Sequence, residues 1–72
     1  METLDLHGAR HDDVERLVEN FILLTDMPVK VITGNSLFMK SVVFDLAERH
    51  GFQWEYESFW NLGAVVLTEP PP

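Results

Sequence analysis

The sequence predicts an α/β chain, an α+β two-layer sandwich in the order β-α-β-α-β-β, with a four-stranded mixed sheet and both helices on one face. Three observations carry that expectation. Short alternating or β-branched segments take turns with two longer stretches of helical periodicity, the pattern of crossover units. The first two strands are each followed by a helix, so they pair in parallel through right-handed crossovers. The last two are joined too briefly for a crossover and therefore run antiparallel to each other.

Each element has its own signal. Thr3-Leu4-Asp5-Leu6 alternates polar with apolar and then meets Gly8, which makes a short strand ending at a turn. Asp12 to Leu24 reads as a helix, because Val14, Leu17, Val18, Phe21 and Ile22 fall on one stripe. Asp12, Asp13 and Glu15 place carboxylates at the positive end of its dipole. Asp26-Met27-Pro28 stops it, since proline removes a donor and pushes the residue before it out of helical geometry. Val29 to Thr33 is a β-branched strand closed by Gly34.

A second helix runs from Leu37 to His50, with Asn35 or Ser36 as its N-cap and Met39, Val42, Val43, Leu46 and Ala47 as its stripe. Gly51 stands where a left-handed cap belongs, and His50 near the helix C-terminus suits the dipole. Phe52 to Glu57 alternates strictly, as a half-exposed strand does. A turn from Ser58 to Gly63 then leads into Ala64-Val65-Val66-Leu67, apolar on both sides and therefore central in the sheet.

Size and charge bound the function. The 72 residues fit one domain, read as residues 2–69 with a proline tail over 70–72. There is no Cys to form a disulfide or a thiolate metal site, so a hydrophobic fraction of 46% must stabilise the fold by packing. Five Lys and Arg against 12 Asp and Glu give a net charge of −7, which repels phosphate polymers at long range. No apolar run is long enough to span a bilayer and no leader pattern opens the chain. These features fit a cytoplasmic module with no membrane partner.

In parallel sheets, chemistry gathers beyond the carboxyl ends of the strands. Two corners meet that description. In Leu4-Asp5-Leu6-His7-Gly8, Asp5 and His7 project to one side while Leu4 and Leu6 enter the core. A carboxylate beside an imidazole can orient the ring for general acid–base work. In Val31-Ile32-Thr33-Gly34-Asn35-Ser36, a strand passes through Gly into a helix start, where unpaired amides and the dipole favour an anion. Lys40 adds a charge one turn in. The plainer readings are a solvated turn histidine and an ordinary N-cap. His7 and His11 do not make a zincin pair, because Gly8 interrupts any helix between them. Trp54 and Tyr56 read as core aromatics; Trp60 lies in the turn.

With Leu4-Asp5-Leu6-His7-Gly8, an acidic-start helix, Val31-Ile32-Thr33-Gly34 and Gly63-Ala64-Val65-Val66-Leu67 in that order, the chain resembles the small MutS-related (Smr) domain family nearly end to end. The resemblance implies a fold similar to the C-terminal domain of translation initiation factor three, its last strand inserted antiparallel inside the sheet. It implies nucleic-acid endonuclease activity on RNA or DNA. Asp5 and His7 fall on the positions to which the family's cleavage is attributed, Gly34 in its substrate loop, and Lys40 near the basic residue that opens its second helix.

This chain departs from the pattern at Ser36, where the family has a second loop glycine. Its Cβ and hydroxyl either hold a phosphate off the backbone or supply the contact themselves. The candidate set is thus Asp5 and His7 for catalysis, with Gly8, Arg10, Thr33, Gly34, Asn35, Ser36 and Lys40 for substrate. No cofactor is required; a divalent metal through Asp5 enters only if water must be activated on DNA. The alternative function is a catalytically weakened module that docks on a ribosome, nucleoprotein or protein partner; a third reading is a purely protein-interaction domain with Phe38, Phe44 and Trp60 as surface anchors.

Overall fold

The computed structural model describes residues 1–72. Its elements are β1 (Glu2–Asp5), α1 (His11–Leu24), β2 (Val29–Ile32), α2 (Leu37–Arg49), β3 (Gln53–Ser58) and β4 (Asn61–Thr68). The sheet order is β1-β2-β4-β3. β1 and β2 are parallel, with Leu4 opposite Val31, while β4 lies antiparallel between β2 and β3, with Val65 facing Val31 on one side and Tyr56 on the other. The final strand is therefore inside the sheet as expected, but it is covered by helices on one face only: Val66, on the other side, is half-buried.

Strand alternation sorts the two faces. Val29, Val31, Val65 and Leu67 point to the helices and are wholly buried. They meet Val14, Val18 and Ile22 of α1 and Met39, Val43, Leu46 and Ala47 of α2 in one core, closed at the end of β1 by Leu6. Leu17, Phe21 and Val42, the remaining stripe residues, are half-buried against it. Trp54 and Tyr56 are half-buried too. Phe44 stacks on Trp54 with ring centroids 3.8 Å apart, and covers that edge of the sheet.

The opposite face carries no helix. There Lys30 of β2 donates to Glu57 Oε2 of β3 at 2.7 Å, reaching across β4. That hydrogen bond holds the Glu57 carboxyl below its ordinary range.

The helix ends follow from local chemistry. Ser36 Oγ accepts from the Met39 amide at 3.1 Å and starts α2, which settles the cap between the two expected residues. His50 closes α2, and its Nε2 lies 3.0 Å from Glu19 Oε2 of α1, so it ties the helices together as well as meeting the dipole. α1 begins one residue before the expected Asp12 and has no side-chain cap at Arg10.

The main difference from expectation is the last turn. It is reduced to Phe59-Trp60, and β4 starts at Asn61 rather than Ala64. A register shift opposite Glu57 lets Leu62-Gly63-Ala64 bulge, so pairing resumes at Ser58 and Asn61. Residues 69–72 are exposed and carry no regular structure. No helix is long and apolar enough to cross a membrane.

Candidate functional site

The two expected corners lie side by side. Parallel pairing brings the end of β1 against the end of β2, and the Leu6 amide extends the ladder by donating to the Ile32 carbonyl at 3.0 Å. Beyond that bond the chains part and leave a cleft of about 330 Å³. One wall is Asp5, Leu6, His7 and Gly8; the other is Ile32 to Ser36, with Met39 beneath.

Seven of the sequence-predicted residues thus share one cleft: Asp5, His7, Gly8, Thr33, Gly34, Asn35 and Ser36. Arg10 and Lys40 do not line it. Arg10 is exposed and precedes α1, immediately after the turn that carries His7 and Gly8. Lys40 faces the sheet rather than the loop, only 9% exposed, with Nζ 5.4 Å from the Tyr56 ring centroid. A residue directly after the core position Met39 lies about 100° round the helix, which turns Lys40 toward β3. Its aliphatic stem packs there. Three cations, Arg16, Lys30 and Arg49, are held in ion pairs; Arg10 and Lys40 are in none.

Asp5 uses its carboxylate on the backbone. Oδ1 accepts from the His7 amide at 2.9 Å, an Asx-type turn that fixes the chain reversal, and makes no hydrogen bond to the imidazole. The expected ring-orienting contact is therefore replaced by one that shapes the loop.

The amides of the second corner also divide differently from expectation. Thr33 and Gly34 both donate to the Gly63 carbonyl, at 2.9 and 3.1 Å, and Ser36 donates back to Thr33 at 3.4 Å. The amides of Gly8, Asn35, Leu37 and Phe38 have no acceptor in the protein. They include the orphan first-turn donors of α2, so the loop's anion-binding capacity lies one step toward the helix.

Gly34 has φ +58, a left-handed conformation that permits this reversal and that other residues adopt at a cost of roughly 1–2 kcal/mol. Gly63 is a participant the sequence reading did not place here. A Cβ on it would stand 3.2 Å from Gly34 Cα, so any other residue here would require the loop to give by a few tenths of an ångström. The available signal was its position just before the closing apolar run. Gly63→Ala is expected to shift the amide resonances of Thr33 to Ser36 and to destabilise by about 1–3 kcal/mol. Shifts confined to the immediate neighbours of Gly63 would refute the contact.

A metal has little to bind. Asp5 and His7 are the only His, Asp or Glu side chains in the cleft walls, and nowhere do three such groups converge. Two donors fall short of the three or four protein ligands that a zinc site uses. No protein-family model, curated protein or solved structure matches the chain.

Proposed function

We propose that this domain is an Smr-like nucleic-acid endonuclease that cleaves a phosphodiester held in the cleft between the two corners. The observation behind this reading is the meeting of an exposed imidazole, His7, with unpartnered amides at Gly8 and Asn35 and at the start of α2. A phosphate needs donors around its oxygens and a group that exchanges protons near neutral pH. This cleft offers both.

RNA is the substrate these residues can handle unaided. The 2′-oxygen attacks phosphorus and its proton passes to the His7 ring. The bond to the 5′-oxygen breaks, and a proton returns to that leaving oxygen. The amides hold the non-bridging oxygens as negative charge builds, aided by the α2 dipole. Arg10, exposed and outside any ion pair, neutralises charge from the rim. Asp5 acts through the backbone, holding the turn that aims His7. The partner is RNA, free or carried by a ribosome or larger nucleoprotein in the cytoplasm.

End-labelled RNA and DNA, single- and double-stranded, should be incubated with the protein in the presence of a chelator. RNA fragments ending in a cyclic 2′,3′-phosphate are the expected product. Absence of product from every substrate overturns the enzyme reading. Binding without turnover would leave a docking module in its place.

A further inference from the structure

The exposed large apolar side chains are not scattered. Met1, Leu23 and Leu24 lie at the end of the sheet where β1 and β2 begin; Leu37, Phe38, Phe59, Trp60 and Leu62 lie at the cleft end. Phe38 is partly occupied, stacked on His11 with centroids 4.3 Å apart. Phe59 and Trp60 stack on no ring but each other. They form the two-residue tip between β3 and β4, 86% and 76% exposed, edge to face with centroids 4.6 Å apart.

This tip is tied to the cleft. Trp60 is three residues from Gly63, whose carbonyl holds the Thr33 and Gly34 amides, so it lies within about 10 Å of that contact along the strand. Charge makes the position meaningful. At −7 overall, with three of five cations already paired, the protein cannot hold a polyanion by long-range attraction. Affinity must come from short-range contact, and stacking on nucleobases is the contact an exposed Trp and Phe provide without regard to sequence.

We infer that Phe59 and Trp60 form a stacking platform for unpaired nucleobases, so that the cleft receives a phosphate flanked by single-stranded nucleotides. The inference rests on the phosphate-binding role proposed for the cleft and adds the substrate class. In a duplex the base faces are already stacked on one another and are closed to a hairpin tip. Unpaired bases present them.

Binding should be measured at low ionic strength, with uncleavable oligodeoxythymidine, a phosphorothioate oligouridine, a perfect duplex of equal length and an abasic oligomer as probes. Wild type, Trp60→Ala and Phe59→Ala should be compared. Both rings are exposed, so circular dichroism and melting should be unchanged in the variants. Wild type is expected to bind single strands at least tenfold tighter than duplex, and Trp60→Ala to lose roughly tenfold on single strands. The abasic oligomer should bind both proteins equally and shift the Gly8 and Asn35 amides.

Equal single-strand affinity in wild type and both variants overturns the platform, while the abasic shifts still uphold the cleft. Loss of affinity on Trp60→Ala with no abasic shift upholds the platform and removes the cleft reading. Equal affinity for duplex and single strand also overturns the platform.

Discussion

Leu67→Ala is expected to lower unfolding free energy by about 3 kcal/mol, within the roughly 2–5 kcal/mol typical of a buried Leu truncated to Ala. Leu67 is wholly buried, in the strand paired on both sides, opposite Val29 and Trp54. Both neighbouring strands are fixed by their own hydrogen bonds, so the site can collapse little around the deletion. A chain of this length holds roughly 4–10 kcal/mol in total, without a disulfide or metal to supplement its core. The loss is therefore a large share of the whole. Urea unfolding should show it as a lower midpoint at constant slope, and melting as a fall of roughly 10–25 °C. Leu24→Ala is the control: Leu24 is 84% exposed and should change stability by less than about 0.5 kcal/mol. A Leu67→Ala loss below about 1 kcal/mol would mean that β4 is not central.

That β4 is central could be read from Ala64-Val65-Val66-Leu67, since an unbroken apolar run suits an interior strand better than an edge, although Val66 faces the side without helices. Helix stripes were equally legible. Val14, Val18 and Ile22 in α1, and Val43, Leu46 and Ala47 in α2, are the residues at the core. Periodicity reports burial directly, which is why it carried the fold so far.

The site was legible only to the level of loops. That the two corners meet follows from parallel pairing of β1 and β2, and the sequence supports that much. It could not tell how each corner uses its donors. Asp5 competes for the His7 amide instead of its ring, a choice set by the turn and invisible in the residue spacing. Gly34 gives its amide to Gly63, nearly 30 residues away, because β4 is inserted beside β2. Lys40 was placed at the loop by its spacing and by the family resemblance, but its long apolar stem is more favourable against Tyr56. The sequence marks Trp60 as a turn residue and a surface anchor but does not single out its neighbour Phe59, because an apolar side chain pointing outward runs against the usual rule for burial.

His7→Ala is expected to reduce the cleavage rate by about 10²–10⁴-fold, equivalent to roughly 3–5 kcal/mol of lost barrier lowering, with little change in substrate affinity. In the proposed function, substrate binding rests on amides and stacking, which the substitution leaves in place. The turn should survive as well, since Asp5 binds the backbone amide at position 7 and not the ring. The Asp5 variants then separate two mechanisms. If Asp5 acts by holding the turn, Asp5→Asn keeps an acceptor oxygen and retains most activity, while Asp5→Ala loses the turn and falls well below it. If the carboxylate charge instead orients and stabilises the imidazolium, Asp5→Asn falls nearly as far as Asp5→Ala. Single-turnover rates for the three variants, with amide spectra to verify the turn, distinguish these outcomes. Unchanged cleavage by His7→Ala removes the imidazole from the chemistry whatever Asp5 does, because no other His, Asp or Glu in the cleft walls except Asp5 itself can exchange a proton.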